Sequence, residues 1–147
     1  GQPRPVGRGA VGHFARASRF AAASADAPLT ASIAVDRARA LVALDRREEA
    51  AAELAQARAS DPANGRAWLL SATLSRRLDR LGEAREQIAQ AALLAPQDPA
   101  VGLEAGVIAA LSGREDDARR SFESVLQVAP QSPEATRARS YLEQLAT

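Results

Sequence analysis

The chain has 147 residues, of which 46% are hydrophobic but only 3% aromatic, and it contains neither Met nor Cys. This length favours one folding unit over two ordinary domains, and the lack of Cys excludes disulfides, thiolate nucleophiles and zinc–thiolate sites. Nineteen basic against eighteen acidic residues leave a net charge of +1, which provides no overall attraction for nucleic acid or an anionic membrane.

The composition predicts an all-α protein. Ala and Leu, which are strong helix formers, dominate the apolar residues, whereas the β-branched and aromatic residues that suit strands are sparse. The longest apolar runs, such as residues 106–111, fall far short of the roughly 20 residues that a membrane-spanning helix needs. We therefore expect helices throughout and no membrane insertion by these residues.

Residues 1–29 form a Gly- and Arg-rich N-terminal segment. Its first nine residues predict no helix, whereas residues 10–26 predict a short helix that ends before Pro28. The chain begins with Gly1 rather than Met, so a leader, an anchor or an earlier domain can have been removed. The sequence leaves the compartment, cytoplasm or periplasm, and the oligomeric state open.

The remaining chain predicts seven helices separated by short polar turns. Asp98 before Pro99 and Ser132 before Pro133 supply an N-cap oxygen and a first-turn proline, and Asn64 can cap a third helix. Polar stretches mark the other turns, at residues 45–49, 79–83 and 112–117. We predict helices near residues 31–44, 48–60, 65–78, 82–94, 99–112, 115–128 and 133–145.

A repeat of 34 residues runs through the chain. Four prolines share this spacing: Pro28, Pro62, Pro96 and Pro130. Eight positions before each proline lies a large apolar residue: Phe20, Leu54, Ile88 and Phe122. Small residues recur at two more positions, as Ala50, Ala84 and Ala118, and as Ala38, Ala72 and Gly106. This period is typical of a helix–turn–helix unit that stacks into a superhelix, with the recurring residues buried between helices.

The pattern resembles the tetratricopeptide-repeat family over residues 30–132. Trp68, Ala72, Ala84 and Pro96 match the family motif in the second unit, and Gly106, Gly113, Ala118, Phe122 and Pro130 match it in the third. The resemblance implies an α-α superhelix of three repeats, at 31–64, 65–98 and 99–132, closed by a capping helix within 133–147. It also implies that residues 10–26 are a half repeat or an N-terminal cap.

In this family the first helix of each pair lines a concave groove that holds a peptide. The resemblance places these residues in the groove: Val35, Arg39, Val42, Arg66, Leu69, Thr73, Arg76, Arg77, Leu103, Val107 and Leu111. Val35, Leu69 and Leu103 would form an apolar row across it. Arginines beside the row would favour an acidic segment or a chain terminus. The alternative is that these arginines are exposed and pair with acids of their own helices.

Two features argue against more specific interpretations. Some family members clamp a C-terminal carboxylate with Lys and Asn at fixed groove positions, which here hold Val35, Arg39, Leu70, Ala100 and Glu104. We therefore do not expect a receptor for chaperone tails. Trp68 is the only tryptophan, and its position is ordinarily packed within the repeat, so we interpret it as a core residue.

The predicted function is a protein-interaction scaffold or adaptor that binds a partner polypeptide with acidic and apolar residues. We predict no catalytic residue, metal or cofactor, since His13 is the only histidine and lies in the N-terminal segment. One alternative is a non-catalytic module of a larger envelope-assembly protein or enzyme. A less favoured one is RNA binding through the arginines and phenylalanines of the N-terminal segment. All basic residues are Arg, which indicates a GC-rich bacterial genome.

Overall fold

A computed structural model describes the backbone of residues 9–147 and the side chains of residues 26–147. This part of the chain is built from α-helices joined by short turns and contains no strand. The helices are α1 (Gly9–Ala43), α2 (Arg47–Ser60), α3 (Gly65–Arg77), α4 (Leu81–Leu94), α5 (Pro99–Leu111), α6 (Glu115–Val128) and α7 (Pro133–Ala146). The all-α prediction is confirmed, and the bounds of α2 to α7 match the predicted ones to within one residue.

The N-terminal segment differs from the prediction, because α1 is continuous and contains Pro28. The predicted helix end before Pro28 is therefore wrong. The other three prolines of the repeat are each followed, three positions later, by a residue that is rare inside helices: Gly65, Pro99 and Pro133. After Pro28 that position is Ala31, a strong helix former. A proline alone kinks or weakens a helix, and here it does not end one.

The turns between helix pairs are fixed by caps at equivalent positions. The Asn64 side chain accepts a hydrogen bond from the Ala67 N–H at 3.1 Å. Asp98 accepts one from the Ala100 N–H at 2.9 Å, and Ser132 one from the Ala135 N–H at 3.0 Å. Each cap satisfies a backbone donor that the first turn of a helix leaves without a partner.

The turns within the helix pairs share a residue with a positive φ angle. Asp45, Asp79 and Gly113 occur 34 residues apart and have positive φ angles of 60°, 61° and 77°. This left-handed conformation reverses the chain in a short space and is most easily adopted by glycine, with Asp and Asn next. The 34-residue repeat therefore extends to the backbone conformation of the turns.

The helices pack in chain order as α1 with α2, α3 with α4 and α5 with α6, and α7 rests on both α5 and α6. The recurring residues form the seam, since Ala50, Ala84 and Ala118 are fully buried. Leu54, Ile88 and Phe122 are buried beside them. The predicted alanine-and-aliphatic seam is confirmed.

The capping helix α7 is held by one aromatic pair. Tyr141 stacks on Phe122 of α6, with ring centroids 5.1 Å apart and an angle of 24° between the rings, a geometry favourable for aromatic pairs. Ala135 and Ala138 are fully buried against the third helix pair, whereas Arg139 and Glu143 on the outer side of α7 are exposed. The helix thus covers the apolar end of the stack and presents a polar surface, as a terminal cap must.

Candidate functional site

The first helices of the pairs, together with α7, line two adjoining cavities. The first, here called the N-terminal cavity, has a volume of about 210 Å³. It is lined by Ala38, Arg39, Val42, Leu54, Leu70, Thr73, Leu74 and Arg77. The second, the C-terminal cavity, has a volume of about 290 Å³. It is lined by Leu69, Leu70, Thr73, Arg76, Arg77, Ala100, Leu103, Glu104, Val107, Glu134, Arg137 and Tyr141. Because the two share Leu70, Thr73 and Arg77, they form one surface, here called the first-helix groove.

The N-terminal cavity has an apolar floor and a basic rim. Ala38, Leu54 and Leu74 are buried members of the core cluster formed by α1, α2 and α3. Arg39 and Arg77 are the ionisable residues that line the cavity, and both are exposed. Within residues 26–147, neither of them forms an ion pair. Their guanidinium groups are therefore available for an external acceptor.

The C-terminal cavity contains a buried carboxylate that binds its neighbours. Glu104 of α5 is 9% exposed. It accepts hydrogen bonds from Nε and Nη2 of Arg76 on α3, and from the Thr73 hydroxyl at 2.8 Å. The pKa of Arg76 is raised above its ordinary value, mainly because Arg76 donates a hydrogen bond to Glu104. Arg76 is thus committed to holding α3 against α5, through a charge-assisted pair of the strong type.

The structure brings together eight of the eleven predicted groove residues. Arg39, Val42, Thr73 and Arg77 line the N-terminal cavity, and Leu69, Thr73, Arg76, Arg77, Leu103 and Val107 line the C-terminal cavity. Val35, Arg66 and Leu111 line neither of them.

Val35 does not join the predicted apolar row, whereas Leu69 and Leu103 both line the C-terminal cavity. Val35 is 1% exposed because it belongs to a stripe on α1, with Ala31, Ala34 and Ala38, whose i, i+3, i+4, i+7 spacing points into the core. Leu103 is also buried, at 6% exposure. Of the other two residues outside the cavities, Arg66 is exposed in the first turn of α3 and Leu111 is 58% exposed at the end of α5.

Sequence reasoning missed several lining residues. Leu74 of α3 and Leu54 of α2 line the N-terminal cavity, and Leu70, which the sequence named only as a position of the carboxylate clamp, lines both cavities. Glu134, Arg137 and Tyr141 come from the capping helix, which the sequence pattern treated only as a cover. The spacing of Tyr141 and Arg137, four residues apart on one helix, was the available signal that both lie on the same face.

Trp68 packs within its repeat, as expected from its position. Its indole N–H donates to the carbonyl oxygen of Pro62 at 2.8 Å. The Arg58 guanidinium carbon lies 5.4 Å from the centre of the indole ring, which is cation–π distance. Burial lowers the pKa of Arg58, and the charge of Glu83 partly offsets that shift. Trp68 is half-buried and packs against the core cluster that contains Ala72, Ala84 and Ile88, and it lines neither cavity.

Neither a metal-binding cluster nor a membrane span occurs among the described residues. Among their side chains, no group of three or more His, Asp or Glu is arranged to hold a metal ion. Within the same part of the chain, no helix combines the length and apolarity that crossing a bilayer requires.

No family model and no curated protein matches the sequence, but solved structures match the arrangement of its helices. The second TPR domain of human RPAP3, in complex with an HSP70 peptide, superposes with a TM-score of 0.75 at 21% identity, over 82% of this chain and 98% of that one. The chain has the tetratricopeptide-repeat fold. The Arabidopsis OM64 TPR domain gives a TM-score of 0.72 at 18% identity, over 78% of this chain and 95% of that one. The Yersinia enterocolitica type III secretion chaperone SycD, in complex with a peptide of the translocator YopD, gives 0.73 at 16% identity, over 78% and 91%.

In this tetratricopeptide-repeat fold, the first-helix groove combines residues of all three helix pairs and of the cap. Arg39 comes from the first pair, Thr73 and Arg77 from the second, and Val107 from the third. Apolar side chains form its floor, and guanidinium groups stand at its rim. Such a surface can remove apolar groups of a ligand from water and bind carboxylates at the same time.

Proposed function

We propose that this chain is a non-catalytic scaffold or adaptor, which holds a segment of a partner polypeptide in the first-helix groove. The observation that carries the proposal is the continuity of the two cavities, which are joined through Leu70, Thr73 and Arg77. An elongated ligand can contact both cavities, and burial of its apolar side chains would contribute about 25 cal/mol per Å². The proposed repeats are residues 31–64, 65–98 and 99–132, followed by the cap in 133–147.

The similar structures support a peptide as the ligand. The RPAP3 domain is in complex with an HSP70 peptide, and SycD is in complex with a peptide of YopD. For this chain we do not propose a chaperone tail, because Leu70, Ala100 and Glu104 occupy positions of the carboxylate clamp. Glu104 is already paired with Arg76, so this pair leaves no free positive charge for the carboxylate of a chain terminus.

The test is partner capture with charge-reversed variants of one helix. Arg77→Glu reverses a charge at the centre of the first-helix groove. The matched control is Arg66→Glu, which makes the same change to an exposed residue of α3 outside both cavities. We expect proteins captured by the wild-type chain to be lost with Arg77→Glu and retained with Arg66→Glu. Equal capture by the wild type and both variants would show that the first-helix groove is not the binding surface.

A further inference from the structure

The N-terminal cavity has the size and chemistry to hold one aliphatic side chain. Its floor consists of Ala, Val and Leu side chains from α1, α2 and α3. Its volume of about 210 Å³ accommodates one aliphatic side chain, and the adjoining C-terminal cavity leaves room for the rest of a peptide. A single Leu, Ile or Val of a peptide is therefore a suitable occupant of this cavity.

The rim of this cavity distinguishes it from the rest of the first-helix groove. In the C-terminal cavity, Arg76 is neutralised by Glu104. No acid lines the N-terminal cavity, where Arg39 and Arg77 stand, whereas Glu104 and Glu134 line the C-terminal cavity. Arg39 and Arg77 belong to α1 and α3 respectively, so one guanidinium stands on each of two helices that border the cavity. Each can form two parallel hydrogen bonds with a carboxylate.

The positions of Arg39 and Arg77 predict where acidic residues lie in the ligand. Arg39 and Arg77 lie on different helices beside the apolar cavity. A ligand whose aliphatic side chain occupies the cavity can therefore pair with both arginines when acidic residues precede and follow the aliphatic one. A C-terminal aliphatic residue can also meet both arginines, through a preceding acid and its own α-carboxylate. An internal segment fits better, because Leu70, Ala100 and Glu104 replace the clamp that holds a terminal carboxylate in the family.

We propose that the partner segment contains an aliphatic residue with acidic residues on both sides, that the aliphatic side chain occupies the N-terminal cavity, and that Arg39 and Arg77 bind the flanking carboxylates. This inference rests on the proposed peptide-binding function. It adds the chemical pattern of the ligand and assigns the charge selectivity to two of the arginines, excluding Arg76.

The test is a selection of random peptides displayed on phage, with the C-terminus of each peptide fused to the coat protein so that no free carboxylate terminus is present. The wild-type chain is compared with the double variant Arg39→Glu/Arg77→Glu. We expect the wild type to enrich Asp or Glu on both sides of Leu, Ile or Val. The double variant should enrich Lys or Arg around the same aliphatic residue, because the rim charge is reversed while the apolar floor is kept.

The outcomes separate this inference from the proposed function. Enrichment of aliphatic peptides without acids, or of acidic peptides by both chains alike, would overturn the inference and leave peptide binding intact. Enrichment of no peptide by the wild type would overturn both. Circular dichroism checks that the double variant is folded, which we expect because both substituted residues are exposed.

The strongest peptide selected by the wild type is then made with blocked ends for titration by fluorescence anisotropy. Arg77→Glu should weaken its binding about tenfold or more, as expected for loss of a charge-assisted hydrogen bond. Arg66→Glu should leave the affinity within about twofold, since exposed charges away from a ligand are screened by salt. Equal losses in both variants would show a general charge effect and overturn the assignment to the cavity rim.

Discussion

Gly106 of α5 packs against the ring of Phe122 of α6, and this contact provides a test of the packing. Gly106 is buried in the middle of α5, where an added Cβ would meet three ring carbons of Phe122, with Cζ at 2.7 Å. Carbon atoms in favourable contact are about 3.5–4.0 Å apart. The ring cannot simply move away, because Phe122 is 1% exposed and stacks on Tyr141 of the capping helix.

The change that Gly106→Ala makes to the free energy of unfolding is the sum of two opposed effects. Ala is a better helix former than Gly by about 1 kcal/mol. Overpacking of a well-filled core costs about 1–3 kcal/mol, and occasionally more. Because Phe122 is confined between α5, α6 and α7, we take the upper part of that range. The net expectation is a loss of about 1–2 kcal/mol in the free energy of unfolding. For a chain of this size, that loss lowers Tm by about 2–8 °C.

The assay is thermal unfolding followed by circular dichroism, with Gly82→Ala as the matched control. Gly82 lies on α4, and an added Cβ there meets no heavy atom within 4 Å. That variant should be neutral or more stable by up to about 1 kcal/mol. If Gly106→Ala were as stable as Gly82→Ala, the close approach of α5 and α6 would not limit the side chain at this position.

Three further predictions concern the same fold. Glu104→Gln should lower the free energy of unfolding by about 2 kcal/mol in urea denaturation, because Arg76 loses its charged acceptor in a largely buried position; an unchanged midpoint would show that this pair is not stabilising. Leu54→Ala should cost about 2–5 kcal/mol in the same assay, since Leu54 is buried, whereas Leu93→Ala, at a residue 76% exposed, should cost under about 0.5 kcal/mol. Gly113→Ala should lower Tm, because it forces alanine into a φ of 77° without any steric contact; equal Tm values would exclude backbone strain at this turn.

Most of the fold could be predicted from the sequence because one stacking geometry is repeated. Each return of the proline, the N-cap and the small residues indicates the same helix ends, so errors in one unit are corrected by the others. Asn64, Asp98 and Ser132 all form the predicted capping hydrogen bonds. The helices that they begin start at the predicted residues, 65, 99 and 133.

The groove was harder to predict than the helices. The 34-residue period gives equivalent positions but does not give the rotation of each first helix about its own axis. Val35 is buried in the core on α1, whereas the equivalent residue of the second unit, Leu69, lines the C-terminal cavity. Pro28 predicts a turn that does not form, because no second helix breaker follows it as Gly65, Pro99 and Pro133 follow the other prolines.

The pair formed by Arg76 and Glu104 could not be predicted from the repeat, because its partners occupy non-equivalent positions. The residue equivalent to Glu104 in the second unit is Leu70, and the residue equivalent to Arg76 in the third is Ala110. Residue types that recur every 34 positions therefore indicate neither Arg76 nor Glu104. The long side chains and the buried carboxylate only meet once α3 and α5 are placed side by side.

That same pair limits how modular the array is. If residues 65–98 were duplicated in tandem, the first copy would meet Leu70 of the second where it now meets Glu104, and its Arg76 would lose its acceptor. The side chains at the junction between the second and third units are therefore specific to that junction, even though the backbone of the two units is alike. Lengthening the solenoid by repeat insertion would require a carboxylate to be carried into each new copy.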